Sequence, residues 1–209
     1  MMTVGLDGAE VEAILGSGRL RCPVGGCGGR LAAWGWARER SVRGVGRLRP
    51  RRCRCLGCWR THVLLPASVL LRRADAVTVI GAALLAKSAG WGHRRVAARL
   101  GRPASTVRGW SRRIAAVADR VLAVLAAVAA ELGSEFVPPA PTGDPGSAVV
   151  EFIGALARAV TRRLGGVSCS PWRLAAVVCG GRLLAPGGPD LGSGALDVAN
   201  TSRLWAGGP

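Results

Sequence analysis

The spacing of apolar residues divides the chain into stretches with different predicted structure. Residues 1–18 form a short leader, in which 7–15 has the length of about two helical turns. Residues 19–66 are rich in Gly, Arg and Cys and show little helical periodicity, which is typical of short β-hairpins. Between residues 74 and 132, Ala, Leu, Val and Arg recur at helical spacing, so this stretch is predicted to be helical.

The C-terminal part is predicted to contain a linker, a helical segment and a tail. Residues 133–147 hold four prolines and three glycines, a composition typical of a linker. Residues 148–185 are predicted to form an amphipathic helix over 149–164 and a second helix that Ser170 caps. Residues 186–209 are predicted to be a disordered tail.

A helix-turn-helix pattern lies within the helical stretch, over residues 93–113 (HRRVAARLGRPASTVRGWSRR). Ala97 falls where the two helices of this motif cross and only a small side chain fits. Gly101 falls at the turn, where a positive φ is needed. A supporting helix over 77–89 completes a predicted three-helix domain, and the predicted inward residues are Val96, Leu100, Val107, Trp110, Ile80, Leu84 and Leu85.

The second helix of the motif, residues 105–115, is predicted to be a recognition helix for the major groove of DNA. Arg108 is the first choice for reading bases and Arg112 the second, because Arg matches guanine O6 and N7. Pro103 stands where a capping Ser or Asp is usual, which leaves Ser105 as an alternative cap. The predicted outward residues are Ser105, Arg108, Gly109, Arg112 and Arg113, and the predicted phosphate contacts are Arg94, Arg95, Arg99 and Arg102.

Five of the seven cysteines fall within 37 residues, a density that indicates a metal site. Structural zinc is bound tetrahedrally, commonly by two close pairs of thiolates. The predicted ligands of a structural Zn²⁺ are Cys22, Cys27, Cys55 and Cys58, with glycines between the members of each pair allowing the tight turns. Cys53 could replace Cys55, and His62 could take one of the four positions.

The segment between the two cysteine pairs is predicted to be a hairpin that contacts phosphate. Arg49 and Arg51 lead into the second pair and are predicted to fix position on nucleic acid without reading its sequence. Trp34 and Trp36 alternate onto one face of the predicted strand. They could stack on bases, but a small ribbon ordinarily needs such rings as its core, so the core interpretation is favoured.

The distribution of charge narrows the class of partner. Residues 1–120 hold 22 Arg and Lys87 against six acidic residues, whereas residues 121–209 hold six of each sign, so the whole formal excess of +17 lies in the first part. Nucleic acid phosphate is the commonest polyanion for such a surface. A basic face that is merely solvated is the alternative.

No sequence typical of a secretory signal or of a membrane span occurs, so the chain is expected to be cytoplasmic and without a membrane partner. In that reducing compartment, clustered cysteines indicate metal binding in place of disulfides. Residues 114–132 are nearly all apolar, more than one face of a DNA-binding domain can bury. Either the C-terminal helices or a second copy of the chain must cover them, and the second case predicts a homodimer.

Two motif groups together resemble a zinc ribbon (CPVGGCGGRLAAWGWARER, RRCRCLGCWRTHVLLPA) followed by a homeodomain-like helix-turn-helix (RRVAARLGRPASTVRGW). The pairing resembles an uncharacterised family of small actinobacterial proteins and is similar to the N-terminal DNA-binding region of insertion-sequence transposases. The resemblance covers residues 19–118. It implies a mainly α fold with a small N-terminal β zinc ribbon, and a three-helix helix-turn-helix domain followed by further helices. The family's first knuckle more often reads Cys-Pro-x-Cys, from which Cys27 departs by two residues.

The expected function is binding of double-stranded DNA without catalysis, by a transcriptional regulator or by an accessory protein of a mobile element. A truncated protein derived from a transposase or integrase is one alternative. Such catalytic domains need about three acidic residues on a fold of well over a hundred residues, and 91 residues follow Ala118. An RNA-binding zinc-ribbon protein is a second alternative, which the charge alone supports.

Overall fold

The computed structural model describes residues 1–133, 136–140, 143–165 and 170–189. Within these ranges the chain has six strands, all in the first 65 residues, and seven helices. The fold is therefore mixed α/β, with a small N-terminal sheet and a larger helical part, as the coarse division of the sequence predicts. Cys169 and residues 190–209, which include most of the predicted tail, lie outside the described residues.

Four strands form the main N-terminal sheet in the order β1-β6-β5-β2. Their bounds are β1 (Met2–Thr3), β2 (Leu31–Trp36), β5 (Arg51–Cys55) and β6 (Thr61–Leu65). Strand β1 runs parallel to β6, the other pairs are antiparallel, and the register of β2 against β5 shifts between Ala33 and Trp36. A separate hairpin joins β3 (Arg40–Val42) to β4 (Gly46–Leu48).

Residues 1–18 differ from the predicted leader because they complete the sheet and its core. Strand β1 pairs with β6, and helix α1 (Gly8–Gly16) contacts β2 and β6. Asp7 caps α1 by accepting a hydrogen bond from the Glu10 backbone N–H at 2.9 Å, which satisfies one of the unpaired N–H groups at the helix start. The buried side chains of this small core are Val4, Val11, Ile14, Leu15, Leu20, Cys22, Leu31, Cys53, Cys55 and Leu64.

The helical part begins with three mutually contacting helices, α2 (Val77–Ser88), α3 (His93–Leu100) and α4 (Ala104–Ala116). Gly101 ends α3 with φ +59°, a left-handed conformation that glycine adopts without a steric cost. Helix α4 starts one residue before the predicted 105–115, after Pro103, so Ser105 lies in its first turn and is not the cap. Leu85 is 57% exposed because it lies about 100° around α2 from buried Leu84, so its predicted inward position was wrong.

The chain does not continue as one extended helix beyond α4. It breaks at Val117, and α5 (Ala118–Leu132) is followed by α6 (Pro145–Arg163) and α7 (Pro171–Val178). Helix α6 starts inside the predicted linker because Asp144 accepts a hydrogen bond from Ser147 N–H at 2.7 Å and Pro145 suits a first helical turn.

The apolar face of α5 is covered within the same chain. Val121, Leu125 and Val128 of α5 belong to one buried core with side chains of α6 and α7, such as Leu156 and Leu174. The sequence predicted that either the C-terminal helices or a second copy of the chain covers this face. The C-terminal helices cover it, so a second copy is not needed for its burial. Among the helices of the described ranges, none combines the length and the apolar composition that a membrane crossing requires.

Candidate metal centre and nucleic-acid interface

Four cysteine thiols converge at one end of the N-terminal sheet. The Sγ atoms of Cys22, Cys27, Cys55 and Cys58 all lie within 4.8 Å of one another. The Cys27–Cys55 Sγ atoms are 3.5 Å apart and the Cys22–Cys58 Sγ atoms 3.6 Å apart. Zinc–sulfur bonds of about 2.3 Å at tetrahedral angles place sulfurs about 3.8 Å apart, so these four residues fit a zinc ion.

The second cysteine pair, Cys55 and Cys58, lies in a turn whose backbone N–H groups point at the Cys55 sulfur. The N–H groups of Cys58 and Gly57 donate to Cys55 Sγ at 3.4 and 3.3 Å, and they lower the pKa of Cys55 to about 6. A thiolate is the form that binds metal. Burial acts in the opposite direction on Cys22, whose pKa it raises to about 12, so metal binding at this position must displace a proton.

Glycine is required where the two cysteine pairs approach each other. A Cβ atom on Gly29 would lie 2.7 Å from Cys55 Sγ and 3.0 Å from Gly57 N. Cys22 N–H also donates to the Gly29 carbonyl at 2.8 Å, which ties the first pair to this crossing point. The glycines therefore allow two turns from distant parts of the chain to place their thiols within one coordination sphere.

The two alternative ligands of the predicted site occupy other positions. Cys53 is fully buried, and its thiol donates to the His62 carbonyl at 3.7 Å, while burial raises its pKa to about 11. His62 Nε2 lies 3.6 Å from Cys22 Sγ, where a ring N–H can donate to the sulfur. The geometry thus puts His62 beside the cluster as a partner of a ligand.

Helix α4 separates its apolar and cationic residues onto different sides. Val107, Trp110 and Ile114 are buried, whereas Ser105, Arg108, Arg112 and Arg113 are exposed. Gly109, predicted to face outward, is buried because the Arg113 side chain lies across it, with its Nη1 2.8 Å from where a Cβ would stand. The exposed side of α4 therefore carries three arginines.

Arg108 is held in place by the preceding helix. Its Nη2 lies 2.9 Å from His93 Nε2, which joins the start of α3 to the middle of α4. Loss of hydration, followed by the positive charge of Arg108, lowers the pKa of His93. The neutral imidazole can then accept the guanidinium hydrogen bond.

The predicted phosphate-contacting residues of α3 and the turn differ in exposure. Arg94, Arg95 and Arg99 are exposed, and the guanidinium carbons of Arg95 and Arg99 lie 3.9 and 5.6 Å from the Trp91 ring centroid. The Arg102 side chain, by contrast, is only 9% exposed and forms an ion pair with Asp75. Arg102 is therefore directed into the protein, unlike the phosphate contact predicted for it.

Arg49 and Arg51, the two ribbon arginines predicted to contact phosphate, also differ from each other in exposure. Arg49 is exposed, with its guanidinium 6.0 Å from the Trp36 ring centroid. The Arg51 side chain is 17% exposed, pairs with Glu12 at 3.2 Å, and donates to the Gly35 carbonyl at 3.1 Å. Only Arg49 of these two presents its charge outward.

The prediction that Trp34 and Trp36 form the ribbon core was wrong. They are 53% and 46% exposed, because residues from β1 and α1 fill the core of the sheet. Trp59 is 60% exposed and was missed by sequence reasoning. Its position directly after Cys58, in a turn that packs its cysteines inward, is the signal that could have identified it.

No protein-family model, curated protein or solved structure matches this chain.

Proposed function

We propose that this protein binds double-stranded DNA, with α2, α3 and α4 acting as a helix-turn-helix and α4 as its recognition helix. The observation that carries the proposal is the exposed side of α4, where Ser105, Arg108 and Arg112 are displayed opposite buried Val107 and Trp110. A helix with this division can enter the major groove while its apolar side stays in the core.

The turn between α3 and α4 supports the helix-turn-helix assignment. Ala97 is 4% exposed in the shared core, where a small residue allows the helices to approach closely. Gly101 has the left-handed conformation that the tight turn of this motif needs. Arg108 and Arg112 are one turn apart, so both can reach base edges along one groove.

The N-terminal sheet supports the proposal through charge and through its candidate zinc site. A structural Zn²⁺ on the four-cysteine cluster would hold the ribbon together because it ties β5 to the loop before β2. Exposed Arg49, together with Arg94 and Arg99 of α3, would then contact phosphate without reading sequence. We assign the protein a binding role, as a regulator or as an accessory protein of a mobile element.

The experiment is a titration of the full, zinc-loaded chain against random duplex DNA of about 20 base pairs, two helical turns, at several salt concentrations. Affinity is expected to fall steeply with salt. The double variant Arg94→Ala/Arg99→Ala is expected to lower the salt slope by about 2 and to weaken binding to all sequences alike.

Structured RNA of equal length, added as a competitor in the same titration, shows whether the protein prefers duplex DNA or RNA. Weaker binding of RNA than of duplex DNA is expected. Equal or tighter binding of RNA would contradict the proposal and favour the RNA-binding alternative, which the high charge of the ribbon also fits.

A further inference from the structure

Three large aromatic side chains are exposed on the ribbon. Trp34 and Trp36 come from β2, and Trp59 comes from the turn between β5 and β6. Each is at least 46% exposed. Isolated apolar residues on a surface are common, but a group of exposed tryptophans marks a binding surface more often than chance placement.

The local backbone holds Trp59 in its exposed position at a conformational cost. Its φ is +61°, a region that a bulky residue rarely adopts. The turn is fixed by its N–H, which donates to the Cys55 carbonyl at 3.1 Å. Strain of this kind persists where the surrounding structure determines it and is common at ligand-binding sites.

Arg54 connects two of these rings into one layered arrangement. Its guanidinium carbon lies 4.5 Å from the Trp34 ring centroid and 4.7 Å from the Trp59 ring centroid. Its Nε donates to the Trp59 carbonyl at 3.3 Å, which fixes the guanidinium between the rings. We call Trp34, Arg54 and Trp59 the Trp–Arg stack. Trp36 is not part of this stack, because it pairs with Arg51, whose guanidinium carbon lies 4.5 Å from the Trp36 ring centroid and whose Nε pairs with Glu12 of α1.

The charge around the stack identifies the class of ligand. Residues 30–60 hold ten arginines and one acidic residue, Glu39, which itself pairs with Arg47. Arg54 already fills the space between Trp34 and Trp59, so a small cation has no aromatic cage to enter. The ligand must therefore be anionic and must offer flat groups to the outward faces of the rings.

We propose that the Trp–Arg stack binds the unpaired bases of single-stranded DNA. A single strand alternates phosphates with flat bases, and aromatic residues in a cationic groove bind such strands by stacking. Bases inside a duplex are already stacked on each other, so this surface discriminates unpaired from paired DNA. The site uses no residue of α4; only the choice of DNA over RNA rests on the proposed function.

The test uses the full zinc-loaded chain and a fluorescent oligothymidylate of about ten nucleotides, within the span of known single-strand sites. Trp34→Ala and Trp59→Ala are each expected to weaken its binding roughly 5- to 150-fold, the range measured for loss of one stacking contact. Trp34→Phe is expected to keep most of the affinity. Leu56→Ala is the matched control, because Leu56 is 44% exposed in the same turn but is not aromatic.

A second measurement needs no variant of the protein. An abasic oligomer of the same length keeps the phosphates and lacks the bases, and it is expected to bind the wild-type chain at least as weakly as oligothymidylate binds Trp34→Ala. Equal affinity for the abasic and thymidylate oligomers would overturn the proposal, as would unchanged binding of oligothymidylate by both Ala variants. Tighter binding of oligouridylate than of oligothymidylate would overturn the assignment to DNA.

Blunt duplex DNA separates this proposal from the function of α4. The Trp variants are expected to bind duplex within about twofold of wild type, since stacking needs unpaired bases. Failure of single-strand binding with duplex binding intact would overturn only the stacking site. If wild type does not bind duplex DNA, the helix-turn-helix function is contradicted, and the proposal of a stacking site for single strands is unaffected.

Discussion

Arg102 and Asp75 form an ion pair that joins the α3–α4 turn to the residues preceding α2. Arg102 Nη2 lies 2.8 Å from Asp75 Oδ1, and the two side chains are 9% and 6% exposed. The pair fixes the start of α4 relative to α2, and it therefore bears directly on where Arg108 is displayed.

Replacing Asp75 by Ala is expected to destabilise the protein by about 3–5 kcal/mol, because it leaves the Arg102 charge buried without a partner. Urea denaturation followed by circular dichroism measures this change. Glu39→Ala is the control, because its partner Arg47 is 80% exposed and such surface pairs contribute little. The double variant Asp75→Ala/Arg102→Met should be more stable than Asp75→Ala alone. A single variant as stable as wild type would show that the pair does not hold the turn.

Removal of metal is expected to unfold the ribbon and to leave most of the helical part folded. The cysteines belong to the small core of the N-terminal sheet, whereas the helices share a separate and larger core. A strong chelator should therefore change the tryptophan emission of the ribbon while most of the far-ultraviolet helical signal remains.

Zinc binding by Cys53→Ala and Cys58→Ala tests which of the cysteines are zinc ligands. Cys53→Ala is expected to bind one zinc ion per chain, because the Cys53 thiol is directed to the His62 carbonyl. Cys58→Ala should lower the affinity for zinc sharply. Loss of zinc in the Cys53 variant with retention in the Cys58 variant would contradict the assigned quartet.

Gly29→Ala tests whether the two cysteine pairs need a close approach of their turns. The added Cβ would lie 2.7 Å from Cys55 Sγ, so the thiols cannot close to their present spacing. Zinc affinity, measured by competition with a coloured chelator, is expected to fall at least about tenfold, as for loss of a supporting contact around a metal. Gly25→Ala is the matched control, since its Cβ would meet no atom within 4 Å, and it should bind zinc like wild type.

Local patterns were sufficient to predict much of the helical part. The burial of Ala97 and Val107 and the positive φ of Gly101 are confirmed, because each follows from spacing within about ten residues. The four clustered cysteines were likewise predictable, since two close pairs with intervening glycines suit a tetrahedral site.

Features that depend on distant partners were not predictable in the same way. The exposure of Trp34 depends on β1 and α1, whose apolar residues occupy the core that the ring was expected to fill. The inward direction of Arg102 depends on Asp75, 27 residues earlier in the chain. Periodicity within one element carries no information on either contact.

Major-groove reading by α4 is tested most directly when the DNA preferences of wild type and Arg108→Ala are compared by selection from randomised duplexes. We expect wild type to select a defined site and Arg108→Ala to lose preference at one or two of its base pairs, at a cost of about 1–3 kcal/mol there. Arg158→Ala, which removes an exposed arginine on α6, should select the wild-type site. An Arg108→Ala protein with an unchanged preference, or a wild type with none, would contradict major-groove reading by α4.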